Sequence, residues 1–134
     1  MSDLRVFIEP NQSVNGLPFG SPAAHLWQVL GEPTKALQNY NGEVELLYGD
    51  HFFRCFEDRF VECTFPTTYH FWINGVEVLS VLDWLCGQAD CVEKAKFHIS
   101  LSVGMAYDQR NPAAGSVTVF EPGRWDYLVL TDAS

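Results

Sequence analysis

Three short runs of aromatic and β-branched residues, separated by two tight turns, constrain the fold of this chain most. The runs are Glu43–Tyr48, His51–Phe56 and Phe60–Phe65, and the turns are Gly49-Asp50 and Asp58-Arg59. Such runs with turn residues between them are typical of consecutive antiparallel strands. The segment therefore predicts a three-stranded meander. We expect a bulge in its middle strand, because the apolar residues there do not alternate cleanly.

Further strands are predicted on both sides of this meander, again from short apolar and aromatic runs bounded by turn residues. The longest of them is expected to bend at Gly104. These strands are expected at Leu4–Ile8, Tyr69–Ile73, Lys96–Tyr107, Val117–Phe120 and Tyr127–Leu130.

Two helix starts stand out because serine precedes an apolar segment. At Ser21-Pro22 the serine can cap free N–H groups, and proline is tolerated at the first helical position. Gly31 is expected to end this helix. Ser80 is predicted to cap a second helix, which ends at Gly87.

These elements predict an α+β fold. The chain has 134 residues, a common length for one domain, and 47% of them are hydrophobic, which is enough to bury a core. We expect a single domain, residues 1–134, with an antiparallel sheet of about six to seven strands and two short helices on one face. The uncovered face of such a sheet must be polar or bind a partner.

Similar short motifs occur in the two halves of the chain. Gly16–Ser21 and Gly75–Ser80 both begin with glycine and end with a serine that precedes a helix, and Tyr48 matches Tyr107 in later strands. We interpret the match as a possible internal duplication. The alternative is chance, because turns and helix caps use the same few residue types. The corresponding halves would be residues 13–65 and 72–121.

The charge of the chain restricts its partners. Seventeen acidic residues against eight basic ones give a formal net charge of −9. Nucleic acids and anionic membranes are bound through Lys and Arg, so we expect neither as a partner. The charge favours a basic protein partner, or it serves solubility alone. No signal peptide is visible at the N-terminus, so we expect a cytoplasmic protein with reduced cysteines.

Residue types and their spacing in this chain do not match the common motifs for catalysis or cofactor binding. Cys55 and Cys63, like Cys86 and Cys91, are too far apart for a C-x-x-C pair, and the spacing therefore predicts no metal site and no cofactor. The chain has no nucleophile elbow and no phosphate-binding glycine loop. We therefore expect no enzyme. A Cys–His pair, such as Cys55 with His51, is a weak alternative.

The meander interleaves acidic and aromatic residues. Acids accelerate the encounter with a basic partner, and aromatics anchor it. The alternatives are aromatics in the core with acids facing water, or an acid–base pair of Glu43 and Glu45. The predicted partner-binding residues are Glu43, Glu45, Asp50, Glu57, Asp58, Trp72, Tyr107 and Asp108.

Five short motifs extend over most of the chain: G-x-P-F-G-S, L-G-E-P, E-L-x-Y-G-D, I-N-G-V-E-V-L-S and S-V-T-V-F. Together they resemble small bacterial immunity proteins, the antitoxin partners of polymorphic-toxin and type VI secretion effectors. The L-G-x-P helix end is also similar to outer-membrane assembly lipoproteins and β-lactamase inhibitory proteins, which are exported. The resemblance implies a protein that neutralises a toxin, which the acidic charge suggests is a basic nuclease or another enzyme with an anionic substrate. Alternatives are an adaptor or chaperone-like module for secretion cargo, or a small ligand-binding or enzymatic domain.

Overall fold

The computed structural model describes residues 5–110 and 115–130, which fold into thirteen strands and three helices. Within these ranges, none of the helices has the length and apolar composition needed to span a bilayer. In chain order the elements are β1 (Arg5–Glu9), β2 (Ser13–Val14), β3 (Leu17–Pro18), α1 (Ala23–Leu30), β4 (Lys35–Gln38), β5 (Val44–Tyr48), β6 (His51–Phe56), β7 (Arg59–Pro66), β8 (His70–Ile73), β9 (Val76–Val78), α2 (Val81–Cys86), β10 (Val92–Lys94), β11 (Phe97–Ser100), β12 (Met105–Asp108), β13 (Ser116–Phe120) and α3 (Asp126–Leu130).

Eight antiparallel strands form the larger sheet, in the order β10-β11-β12-β13-β7-β6-β5-β4. The predicted meander is confirmed as β5, β6 and β7, and the predicted bulge lies between Arg54 and Cys55. Strands β7 and β13 pair at the centre, where the hydroxyl oxygens of Thr64 and Thr118 lie 2.9 Å apart.

A second sheet of five strands has the order β3-β2-β1-β8-β9. Its central strand, β1, pairs antiparallel with β2 and parallel with β8, so that Arg5 lies beside His70 and Ile8 beside Ile73. The predicted single sheet of six to seven strands is therefore wrong. Parallel pairing joins segments that are far apart in sequence, so no local turn motif predicts it.

The two predicted helices are present, but they begin differently. Ser80 caps α2 as predicted, because its hydroxyl oxygen accepts a hydrogen bond from the Asp83 N–H at 3.2 Å. The Ser21 hydroxyl instead donates to a backbone carbonyl. At the start of α1 it is the Asp58 carboxylate that accepts a hydrogen bond from the Ala23 N–H, at 3.2 Å.

The main core lies between the two sheets. We call the side of the large sheet that carries the small sheet, α1 and α2 the covered face. Phe53 and Phe65 of the large sheet pack there with Leu26 of α1 and Leu85 of α2, and all four side chains are buried. The opposite side is the open face. Helix α3 covers part of it, in a smaller apolar cluster that includes Phe120.

Two predicted strands differ from the structure. Tyr127–Leu130 lies in α3 and is helical. Lys96–Tyr107 contains two strands, β11 and β12, joined by a turn at Gly104. Gly104 has a φ of +68°, a left-handed conformation that glycine adopts readily in turns. A Cβ atom at this position would lie 2.7 Å from the Phe120 carbonyl oxygen, which also favours glycine. Leu4, the first residue of the first predicted strand, lies outside the described residues.

The structure does not show a clear duplication of the halves 13–65 and 72–121. Tyr48 lies on β5, the second strand from one edge of the large sheet, whereas Tyr107 lies on β12, the third strand from the other edge. The two tyrosines therefore do not occupy equivalent strands. What does recur is the order of elements, a short hairpin followed by a helix and four antiparallel strands.

Candidate functional site

Strand alternation places a row of charged side chains on the open face. Glu45 of β5 lies beside Arg54 of β6, and Arg54 lies beside Glu62 of β7. Opposite charges on directly opposed residues stabilise neighbouring strands. The row continues to Phe120 of β13, which stacks on Trp125 with 5.0 Å between ring centroids.

The turn that follows β13 completes an ion network. Arg124 donates from Nε to Glu62 Oε1 at 2.7 Å and from Nη2 to Glu43 Oε2 at 2.5 Å. Arg54 donates to both Glu62 and Glu45, the latter at 2.8 Å from Nη2. We call these five side chains, Glu43, Glu45, Arg54, Glu62 and Arg124, the ion network.

Two carboxylates of the network are buried, with Glu62 only 4% and Glu43 only 8% exposed. Burial alone would raise the pKa of Glu43, but hydrogen bonds from Arg124 and Asn39 and the positive charges of Arg124 and Arg54 outweigh it and lower the pKa. Burial would likewise lower the pKa of Arg124, and its bonds to carboxylates raise it. The pKa shifts of Glu43 and Arg124 both favour the charged forms that bind each other.

The contacts of Glu43 and Glu45 do not favour the alternative in which they form an acid–base pair. Glu43 precedes β5 and binds Arg124 at 2.5 Å, whereas the Glu45 carboxylate binds Arg54 at 2.8 Å. A general acid must hold its proton near the working pH, and the lowered pKa of Glu43 opposes that role.

Two hollows flank the network. One is a cleft of about 600 Å³ between the network and α3, lined also by Phe56, Phe97 and Trp125. The other, of about 300 Å³, lies over Phe52 and Asp108. Both are open rather than enclosed, so that they form one shallow surface across the uncovered part of the open face.

Arginine side chains stack over aromatic rings along this surface. The guanidinium carbon of Arg54 lies 4.9 Å from the ring centroid of Phe52, and that of Arg110 lies 4.9 Å from the ring centroid of Phe97. Arg110 is also bound to Asp108, at 2.6 Å between Nη2 and Oδ2. Arginine and aromatic residues are the types most enriched at the centres of protein interfaces.

Of the eight predicted partner-binding residues, three lie on the open face: Glu43, Glu45 and Asp108. The others are elsewhere. Asp50 is exposed at the β5–β6 turn, and Glu57 and Asp58 form the turn at the other end of β6.

The two predicted aromatic anchors are not on the open face. Trp72 belongs to the small sheet, where it stacks on Phe7 with 5.1 Å between ring centroids. The guanidinium carbon of Arg5 lies 5.6 Å from the centroid of the Trp72 ring. Tyr107 is partly buried and packs against the main core on the covered face. The structure therefore brings together only part of the predicted set.

Sequence reasoning missed the basic half of the site. Arg54 and Glu62 lie in the predicted meander, and their opposite charges on neighbouring strands are the signal that could have revealed the charged row. Arg124 and Trp125 carry no comparable signal, because their positions depend on the pairing of β13 with β7. The Trp125 indole N–H donates to Glu62 Oε1 at 3.0 Å and so fixes the edge of the cleft.

A second surface lies beside the edge strand β4. A hollow of about 470 Å³, lined almost entirely by apolar atoms, runs between α1 and β4–β5 past Ala24, Trp27, Ala36 and Leu46. Trp27 is 44% exposed. An edge strand with free backbone groups beside an apolar groove can accept an extended peptide.

No protein family, curated protein or solved structure matches this chain. The open face and the groove at β4 are therefore interpreted from their own geometry and charge.

Proposed function

We propose that this chain is a cytoplasmic immunity protein that binds a basic toxin domain on the open face of its large sheet. The observation that carries the proposal is the uncovered part of that face, where Leu37, Leu47 and Phe52 remain partly exposed beside arginines held in fixed orientations. An uncovered sheet face is normally polar, and one that keeps apolar side chains is suited to a protein partner. The role requires no cofactor and no catalysis.

A protein partner suits this face better than a small anion does. The cleft of about 600 Å³ is large enough for a ligand, which favours the small-ligand alternative. However, Arg54 and Arg124 are already bound by carboxylates. An anion would have to break these pairs and leave a buried carboxylate without its partner, at a cost of several kcal/mol. A protein can instead pack over Phe52 and leave the network intact.

The attraction for a basic partner comes from acids outside the network. Glu43, Glu45 and Glu62 are largely neutralised by two arginines. Asp50 and Glu57 are exposed at opposite ends of β6. In the part of the chain that the structure describes, neither makes an ion pair. Together with the net charge of −9 they would increase the association rate, because exposed rim charges act mainly on encounter.

The test uses a toxin domain, which the proposal expects to be encoded beside the gene for this chain. Co-expression should restore growth of cells that produce the toxin, and calorimetry should give a one-to-one complex. Phe52→Ala should weaken binding about 30-fold, the effect of removing an interface anchor worth about 2 kcal/mol. Phe7→Ala is the matched control, because Phe7 is a half-exposed aromatic of the small sheet.

Several results would contradict the proposal. If no toxin is encoded nearby, or if co-expression leaves growth inhibited, the chain is not an immunity protein. If Phe52→Ala and Phe7→Ala weaken binding equally, or if only Phe7→Ala does so, the partner does not bind on the open face. Circular dichroism of both variants establishes that they are folded before binding is compared.

The adaptor alternative is supported by the apolar groove at β4. An adaptor would bind an extended segment of secretion cargo by adding it to the edge of the sheet. Trp27→Ala should then abolish binding of cargo peptides, whereas Phe52→Ala should not. The reverse pattern favours the immunity function.

A further inference from the structure

Three side chains with metal-binding atoms meet where α2 reaches the edge of the large sheet. Cys86 is the last residue of α2, Cys91 immediately precedes β10, and His98 lies in β11. Their sulfur and ring-nitrogen atoms all lie within 4.8 Å of one another. Cys86 Sγ lies 3.7 Å from His98 Nδ1. We infer that Cys86, Cys91 and His98 form a zinc-binding site whose fourth ligand is a water molecule.

The distances suit a tetrahedral zinc ion. Zinc bonds are about 2.3 Å to sulfur and about 2.0–2.1 Å to nitrogen, which places a bound sulfur and nitrogen about 3.6 Å apart in a tetrahedron. The Cys86–His98 separation of 3.7 Å already matches this value. Because no two ligand atoms are more than 4.8 Å apart, small side-chain rotations are sufficient to bring in Cys91.

A chain of hydrogen bonds orients the histidine for this role. Glu93 Oε2 accepts from Gln109 Nε2 at 2.8 Å, so the Gln109 carbonyl oxygen faces His98, 3.0 Å from its Nε2. An amide carbonyl oxygen only accepts hydrogen bonds, so His98 Nε2 is the donor to Gln109. The other ring nitrogen, Nδ1, faces Cys86 Sγ at 3.7 Å and is the atom placed to bind a metal ion. Such outer partners are typical of zinc-binding histidines.

The cysteine ligands are held by ordered backbone. The Gln88 N–H donates to the Leu85 carbonyl at 3.0 Å, and the Cys91 N–H donates to the Gln88 carbonyl at 3.1 Å. These bonds fix the short loop between α2 and β10. Cys86 is exposed, so that an ion can enter from solvent and water can complete its coordination.

The ligand chemistry selects a thiophilic ion. Two thiolates and a neutral imidazole offset the charge of Zn²⁺, and each thiol releases its proton to solvent as its bond to zinc forms. Calcium and magnesium require oxygen ligands. Sequence spacing predicted no metal site because it compared cysteine pairs only along the chain, whereas the histidine comes from the neighbouring strand. Zinc would join α2 to strands β10 and β11 at the sheet edge.

The test is metal titration of the whole, reduced protein in the presence of a phosphine reductant. Zn²⁺ should bind with one equivalent in competition with a chromophoric chelator. Co²⁺ in its place should show the thiolate charge-transfer and tetrahedral d–d bands. Cys86→Ser, Cys91→Ser and His98→Ala should each abolish the one-equivalent binding. Gln109→Leu should weaken it about 10–100-fold, because it frees the histidine ring.

Matched controls separate this site from adventitious binding. His70→Ala removes an exposed histidine of β8, and all variants keep the buried Cys55 and Cys63. Circular dichroism confirms that each variant is folded, and Cys86→Ser is the variant to rely on because Cys86 is exposed. The inference is overturned if zinc does not bind, if binding persists in Cys86→Ser, if His70→Ala reduces it equally, or if Co²⁺ shows no thiolate band. It is independent of the proposed immunity function.

Discussion

The two faces of the large sheet are built from the same strands but stabilised by different interactions. On the covered face, Phe53 and Phe65 lie in a dense aromatic core. On the open face, their neighbours along the strands, such as Arg54 and Thr64, lie in or beside the ion network and the shallow surface around it. Alternation along a strand thus separates burial of apolar area from pairing of charges. We expect the buried apolar area to contribute most of the stability, and the paired charges to fix the shape of a binding surface.

The largest expected contrast is between two adjacent phenylalanines of β6. Phe53 is fully buried on the covered face, and Phe53→Ala should lower the free energy of unfolding by about 3–5 kcal/mol. Phe52 is partly exposed and stacks on Arg54, so Phe52→Ala should cost about 1 kcal/mol. Urea unfolding of both variants measures the difference. Equal losses would show that the open face is as important for stability as the core.

A smaller effect is expected within the ion network. Glu62 is buried and binds both arginines and Trp125, so Glu62→Gln should destabilise the fold by about 2 kcal/mol. Glu45 has a more exposed side chain, and Glu45→Gln should cost less than about 1 kcal/mol. Thermal or urea unfolding tests the order. If Glu45→Gln is the more harmful substitution, Glu62 is not the centre of the network.

The two turns that flank β6 should also differ. Asp58 accepts the hydrogen bond from the first N–H of α1, so Asp58→Lys should lower the free energy of unfolding by about 1 kcal/mol. Asp50 is exposed at the other turn, and Asp50→Lys should change it by less than about 0.5 kcal/mol. Asp58→Asn keeps an oxygen at the cap and is the control. A destabilised Asn variant would mean that charge, rather than the hydrogen bond, matters at Asp58.

The smallest expected effect concerns pH. Burial lowers the pKa of His51 although the charge of Asp50 raises it, so the unfolded state binds a proton more readily than the folded state does. Stability should therefore be complete above the ordinary pKa of 6.5 and decrease as pH falls below it towards the folded pKa. The lowered pKa of Glu43 acts in a separate window, below its ordinary 4.5. In His51→Phe, the free energy of unfolding should depend less on pH just below 6.5 and should keep its dependence on pH below 4.5.

Local features of the fold could be predicted because they depend on adjacent residues. The meander follows from aromatic runs and turn residues, and the cap of α2 follows from Ser80. The strand prediction for Tyr127–Leu130 is wrong because a short apolar run fits a strand and a short helix equally well. The pairing of β1 with β8 could not be predicted, since nothing local specifies it.

The candidate site could be predicted only in part, for the same reason. Glu45 is predicted as a partner-binding residue because acids interleave with aromatics, and it lies on the open face bound to Arg54. Acids interleaved along the meander indicate free negative charge, but Arg124 enters from a distant turn and neutralises much of it. Asp58 was chosen as an exposed turn residue, whereas its carboxylate binds the start of α1.

The position of β1 in the centre of the small sheet has a consequence for the order of folding. The chain is synthesised from its N-terminus, so β1 can pair with β2 early but must wait for residues 70–73 before its other edge is closed. Closing a loop of that length is entropically costly and tends to be slow. Until it closes, Val6 and Ile8, both buried in the finished fold, lie on an open strand edge. We therefore expect the emerging chain to be most prone to aggregation after β1 has been synthesised and before β8 has.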